Sequence, residues 1–173
     1  MLTAAEIQKR VKSGQIVIDP WNEDQLNPNS YNLRLAACLL VYTPEMQLDL
    51  HKPTTPLSVT IPKEGYVLRP GHLYLGSTVE YTETHDLIPV IDGRSSVGRL
   101  GIWLHICAGF GDINYCGNWT LELACVVPVR IYANAQMCQI RYHVPDGDIT
   151  KRYAGKYQGS RGVKVSRMDQ ERE

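Results

Sequence analysis

Asn118-Trp119-Thr120-Leu121-Glu122-Leu123-Ala124-Cys125 alternates in polarity with a period of two. In an extended strand successive side chains point to opposite faces. Trp119, Leu121, Leu123 and Cys125 therefore share one face, and Asn118, Thr120 and Glu122 share the other. The stretch reads as a half-buried strand in which Glu122 leaves the core beside a hydroxyl. Outward in both directions the chain repeats this kind of segment. Short strands are expected over 16–18, 31–42, 65–68, 73–81, 87–91, 102–108, 119–127, 129–132 and 137–143, separated by Asp-Pro, Asn-Pro, Thr-Pro, Ile-Pro and Arg-Pro-Gly breaks. A single amphipathic helix is expected over 3–13, where Thr3 and Glu6 form a capping box, Leu2, Ile7 and Val11 share a face, and Gly14 ends the pattern. Many short strands, one helix and 10 prolines predict an all-β fold, a distorted jelly roll or β-barrel.

The 173 residues fit one domain with a substantial core, and neither a repeat nor a linker divides them. Acidic and basic residues balance at 18 each, so no global field recruits nucleic acid or a membrane surface. Any polyanion must be small and held locally. No apolar run approaches the roughly 20 residues of a membrane span, and Met1-Leu2-Thr3-Ala4-Ala5-Glu6 lacks the pattern of a signal peptide. The five cysteines are odd in number and sit among strand residues, which suits free thiols and a cytoplasmic setting. From Pro145 onward the chain is too polar to pack alone. It is expected to be either disordered or a mobile flap, and the aromatic, cationic and amide groups of Tyr153-Ala154-Gly155-Lys156-Tyr157-Gln158-Gly159 favour the flap.

The chemistry concentrates in Gly93-Arg94-Ser95-Ser96-Val97-Gly98-Arg99-Leu100-Gly101 and the residues that follow. Two guanidiniums, two hydroxyls and three glycines in nine residues compose an anion-binding turn suited to phosphate. The plain alternative is a surface arginine pair serving solubility. Glu122 is either a solvated strand glutamate or, in a closed cleft, a general base. Asp112, in a glycine-rich connection, either caps its own turn or holds a sugar hydroxyl or a water. His105 reads more readily as a packed histidine than as a catalyst.

In order and spacing, residues 93–101, His105, Ala108-Gly109-x-x-Asp112 and Thr120-Leu121-Glu122 resemble the dCTP deaminase branch of the dUTPase-like superfamily. Asn29-Ser30-Tyr31-Asn32-Leu33-Arg34-Leu35 is similar to its early strand motif. Met137-Cys138-Gln139-Ile140 and Gly155-Lys156-Tyr157-Gln158-Gly159 are similar to its late ones. The resemblance implies a homotrimer of β-barrel subunits, active sites at subunit interfaces, and magnesium carried on the nucleotide triphosphate. It gives Glu122 the role of general base for attack of water on cytosine C4. Ser95 and Arg99 assist, and the Ala108 carbonyl orients the water or the departing ammonia. Arg94, Ser95, Ser96, Val97, Gly98, Arg99, Asp112, Thr120, Leu121, Glu122 and Gln139 would line the nucleotide site. Tyr153, Lys156 and Gln158 would close over it from the tail.

The residues agree with that chemistry. The His-x-Glu and Pro-Cys-x-x-Cys signature of zinc deaminases is missing, so no zinc is expected in catalysis and a carboxylate must take the proton from water. Two departures matter. Phe110 stands where many monofunctional relatives have arginine, and bifunctional relatives tend to carry a bulky apolar residue there. Asp112 would then be the base for attack on the α-phosphate of dUTP. Ser160 stands where relatives often have glutamine, which weakens the contact assigned to Gln158. The leading reading is metal-independent deamination of dCTP to dUTP and ammonia. The alternatives are a bifunctional dCTP deaminase and dUTP diphosphatase giving dUMP and pyrophosphate, a plain dUTPase, or a non-catalytic nucleotide-binding regulator. Inhibition by dTTP stays open.

Overall fold

The structure is a computed structural model and describes residues 1–106 and 109–171. The elements are α1 (Ala4–Lys12), β1 (Ile16–Asp19), β2 (Leu26–Asn27), β3 (Ser30–Arg34), β4 (Cys38–Tyr42), β5 (Leu57–Thr60), β6 (Tyr66–Leu68), β7 (Leu73–Thr84), β8 (Ile88–Gly93), α2 (Ser95–Gly98), β9 (Ile102–Leu104), β10 (Cys116–Cys125), β11 (Val129–Ile131) and β12 (Gln136–His143). One open sheet runs β5-β4-β7-β10-β9, with β1 on the far half of β7; a second runs β2-β3-β12-β8; β11 and β6 form a short third. Every strand pair is antiparallel. The sheets enclose a core that includes Tyr31, Leu33, Leu39, Leu121, Ile140 and Tyr142, all wholly buried.

The phase read for β10 holds over 119–125, whereas Asn118, expected on the polar face, is buried where the pairing with β7 shifts register. Trp119, Leu121, Leu123 and Cys125 are buried, while Thr120 and Glu122 are only partly covered. Other expectations need correction. The strand expected over 31–42 is two strands, because Ala36 and Ala37 leave one sheet for the other: Ala36 N–H donates to Ser77 and Ile61 N–H donates to Ala37. The two-residue β2 and the largely exposed β5 carry too little alternation to be read. α1 forms, but Thr3 makes no side-chain cap; Glu6 lies 3.6 Å from both Lys9 and Arg10 instead. The one-turn α2 is too short to show a helical period in the sequence.

β7 carries the least expected feature. Its inward face at the far end is polar: Thr78, Glu80, Thr82 and Thr84 are all buried. The pairing with β10 shifts register around Trp119. There Thr78 Oγ1 accepts from Trp119 N–H (2.9 Å) and donates to Glu80 O (2.8 Å), while Asn118 Nδ2 donates to Thr78 O (3.1 Å). The fully buried Glu80 accepts from Arg34 Nε (2.6 Å), Arg34 N–H (2.8 Å) and Gln25 Nε2 (3.0 Å). A buried carboxylate is tolerated when paired and hydrogen-bonded in this way.

The polar tail packs through its backbone. β9 covers only the end of β10, at Leu123 to Cys125. Along the edge that remains, Gly159 N–H donates to Cys116 O (2.8 Å), Asn118 N–H to Ser160 O (2.9 Å), and Lys164 N–H to Thr120 Oγ1 (3.1 Å). The tail thus satisfies an exposed strand edge without needing a core of its own. Gly117 allows the close approach, since a Cβ there would meet the Ser160 backbone at 3.0 Å.

Candidate active site

The polar face of β10 opens onto a cleft of about 460 Å3. Thr120 and Glu122 come from β10, Asp112 from the connection after β9, and Tyr153, Tyr157 and Lys164 from the tail. The cleft therefore joins the central strand, the glycine-rich connection and the tail.

One oxygen of Glu122, Oε2, is buried without a hydrogen-bond partner; His105 Nδ1 lies 3.7 Å away. The His105 side chain is only 5% exposed, and neither of its ring nitrogens has a partner. Backbone geometry sets this pairing. His105 N–H donates to Glu122 O (3.0 Å), and its φ of +55° turns the chain out of β9. Leaving buried polar groups unpaired costs about 1–3 kcal/mol each, which marks a place where a bound molecule or water completes the set. His105, read as a packed histidine, is thus a wall of the cleft facing the glutamate.

Asp112 is held by packing of the connection. Phe110 bridges to Val90, and Gly111 N–H donates to Pro89 O (2.7 Å). A Cβ on Gly111 would sit 2.3 Å from the Trp119 ring, so only glycine lets the connection lie on that indole. The turn's hydrogen bond runs from Tyr115 N–H to the Asp112 carbonyl oxygen (3.1 Å), so the exposed carboxylate is not what closes the turn. Tyr115 packs on Trp119 with ring centroids 4.6 Å apart and donates to Asn118 O (2.9 Å). Burial, then the neighbouring Tyr153, push its phenol far up, so it stays a neutral wall.

The other expected site residues are placed as follows. None of residues 94–99 lines the cleft. Arg94 precedes α2 and donates from Nη1 to Gln136 O (3.0 Å); Ser95, Ser96, Gly98 and Arg99 are exposed, and Val97 is buried. Leu121 is wholly buried, leaving only its backbone for a ligand. Gln139 accepts from Ser30 Oγ (2.9 Å) on the second sheet, away from the cleft walls. Tyr153 lines the cleft, and its hydroxyl accepts from Tyr157 N–H (3.1 Å). Lys156 pairs with Glu171 and lies 5.6 Å from the Tyr157 ring centroid. Both ends of the Gln158 amide are engaged, with Cys116 N–H (3.0 Å) and Asn114 O (2.6 Å). Ala108 lies outside the described residues. Lys164, Val165 and Ser166, which the sequence offered only as a weak phosphate motif, form part of the wall.

Of the described cysteines, Cys116, Cys125 and Cys138 are buried and Cys38 is half-buried; none is paired. Among the described residues no helix is long and apolar enough to cross a membrane. The close group of metal-type donors in the same residues, Glu83, His85 and Cys116, is not part of the cleft wall.

With two carboxylates and a histidine on one cleft, the chain fits a family defined by sequence: the dCTP deaminase-like profile matches residues 1–144. The chain belongs to that family. It is 52% identical over 166 residues to "dCTP deaminase, dUMP-forming" of Leptospira biflexa, covering 96% of this chain and 94% of that protein. A protein so named from Clostridium acetobutylicum is 54% identical over 151 residues, or 87% of each chain. One from Cytophaga hutchinsonii is 49% identical over 166 residues, covering 96% of this chain and 95% of its own. The crystal structure of 2'-deoxycytidine 5'-triphosphate deaminase from Agrobacterium tumefaciens shares the fold, with a TM-score of 0.67 and 20% identity over 83% of this chain and 47% of that one.

Proposed function

We propose that the protein converts dCTP to dUMP in one site, by deamination at cytosine C4 and hydrolysis of the resulting dUTP. Two waters are consumed, and ammonia and pyrophosphate leave. The observation that carries the reading is the shared cleft of Glu122, with its buried unpartnered oxygen, and Asp112. The names of the curated relatives support the dUMP product over a reaction that stops at dUTP. Phe110, 68% exposed at the cleft, agrees with that choice.

In this scheme Glu122 takes a proton from the attacking water and delivers one to the pyrimidine, with no zinc involved. His105 confines the carboxylate and keeps water out of the space behind it. Asp112 serves the second step, orienting water toward the α-phosphate. Magnesium arrives on the triphosphate as part of the substrate. The site is completed by a second subunit: residues 94–99 of one copy would bring Ser95 and Arg99 to the Glu122 of another, in a homotrimer. Leu100, Trp103, Ile106 and Phe110 support this, because each is more than half exposed within eleven residues of chain. The tail acts as the lid, through Tyr153, Tyr157 and Lys164. The role given to the Ala108 carbonyl rests on the family resemblance, and a cytoplasmic setting follows from the substrate.

The test is incubation with dCTP and magnesium, followed by separation of nucleotides and assay of ammonia. Ammonia and dUMP in equal amounts, without build-up of dUTP, are expected. Accumulation of dUTP would return the simpler deaminase. Hydrolysis of added dUTP with no turnover of dCTP would refute deamination altogether.

A further inference from the structure

Away from the cleft walls, three donors suited to a borderline cation converge. Glu83, His85 and Cys116 place a carboxylate oxygen, an imidazole nitrogen and a thiol sulfur within 4.8 Å of one another. Glu83 and His85 are two apart and so share one side of the extended chain, while Cys116 comes from 31 residues further on. The β7–β10 register sets Cys116 opposite Glu83, and His85 follows at the end of β7.

The outer atoms of the group are pinned while its donor atoms converge; the Cys116 thiol donates to Asn114 O (3.4 Å), a bond that metal binding would give up. His85 Nδ1 lies 2.6 Å from Asn114 Oδ1, which fixes a proton on that nitrogen and leaves Nε2 toward Glu83 Oε1 (2.8 Å). The Tyr81 hydroxyl donates to the other oxygen of Glu83, Oε2 (3.0 Å). Cys116 N–H donates to Gln158 Oε1 (3.0 Å). Metal-binding histidines and carboxylates are commonly oriented by such outer partners. Thiolate, imidazole and carboxylate together suit zinc and disfavour magnesium or calcium.

We propose that Glu83, His85 and Cys116 form a structural zinc site, with water as the fourth ligand. On binding, the Cys116 S–H bond and the His85 Nε2–H bond that faces Glu83 are replaced by S–Zn and N–Zn bonds, and both protons pass to solvent. Tetrahedral ligands at about 2.0–2.1 Å lie roughly 3.3 Å apart, so the ion parts His85 and Glu83 by about half an ångström. His85, with a side chain 58% exposed, has room to move. The site fastens the tail. Asn114 donates to Tyr153 O (3.0 Å) and accepts from Gln158 Nε2 (2.6 Å), so fixing His85 against Asn114 stiffens the segment that carries Tyr153 to the cleft. The proposal does not depend on which reaction the cleft performs.

Cobalt(II) added to the full-length, chelator-treated protein tests it. One equivalent should give a thiolate-to-cobalt charge-transfer band, displaced by zinc and lost in both Cys116→Ser and His85→Ala. Cys38→Ser should keep the band. Zinc at about a hundred times its dissociation constant should raise Tm by roughly 5–10 °C in the wild type and leave both variants unshifted. Circular dichroism of the two variants confirms that they fold. A missing band, a band that survives Cys116→Ser, or an unchanged wild-type Tm would each overturn the proposal.

Discussion

Replacing Glu122 with glutamine removes a proton acceptor while keeping the side chain's shape, and the structure sets what should follow. Oε2 of Glu122 has no hydrogen-bond partner, so the substitution breaks no bond to that oxygen. The side chain is 31% exposed at the cleft, where an amide is as well accommodated as a carboxylate. Tm should therefore stay within a few degrees of the wild type. Deamination should fall steeply, because an amide cannot take the proton from water. Loss of a positioned general base costs about 10²–10⁴-fold in rate, or about 2.7–5.4 kcal/mol of barrier. The nearest replacement base is His105 at 3.7 Å, already enclosed, so the upper half of that range is expected. Ammonia release from dCTP under saturating conditions, with calorimetric titration of dCTP, separates catalysis from binding. The dissociation constant should move by less than about tenfold, since the triphosphate supplies most of the binding energy. Ammonia release within tenfold of the wild type, from a variant with unchanged Tm, would refute the assignment of Glu122 as base.

Asp112→Asn should leave ammonia release nearly intact and make dUTP accumulate, by about 10²-fold or more relative to dUMP; equal amounts of ammonia and dUMP would remove Asp112 from the second step. Mixing Glu122→Gln with Arg99→Ala after gentle dissociation should restore activity to about one quarter of wild type, the share of interface sites that random assortment makes whole. No recovery in verified mixed trimers would place both residues in one subunit's site. Glu80→Ala leaves the Arg34 guanidinium, the Arg34 N–H and the Gln25 amide without their acceptor, and should cost about 3–5 kcal/mol, or roughly 6–20 °C in Tm. A loss below about 1 kcal/mol in denaturant unfolding would show that the buried network is replaceable. Burial, then the Met1 amino group and Arg141, hold His143 below its ordinary value of 6.5. The unfolded chain takes up that proton first, so stability should fall as pH drops through about 6.5 and level off once the folded imidazole charges. His143→Gln should flatten that part of the Tm–pH curve; an unchanged slope would assign it to other groups.

Alternation and punctuation determined the strands of this protein, and Glu122 followed from them. A period of two leaves no freedom about which face a residue takes once its neighbours are buried, so Glu122 had to leave the core. The same logic failed for β7, whose buried face is Thr78, Glu80, Thr82 and Thr84. Glu80 enters the core because Gln25 and Arg34, far away in sequence, satisfy its carboxylate, and Thr82 is satisfied by Trp119 Nε1 (2.8 Å). The tail misled for a related reason. Its composition cannot form a core, but its backbone can complete the edge of β10 that β9 leaves open.

The sequence by itself determined an all-β chain, the phase of its central strand, and a set of chemical groups with family-like order. Only the tertiary structure decided which of those groups meet. It brought Glu122, Asp112, His105 and the tail to one cleft and left residues 94–99 off its walls. It also drew Cys116 across the β7–β10 pairing to Glu83 and His85. Side-chain direction is a local consequence of strand geometry, whereas proximity depends on register and on which strand edges remain free.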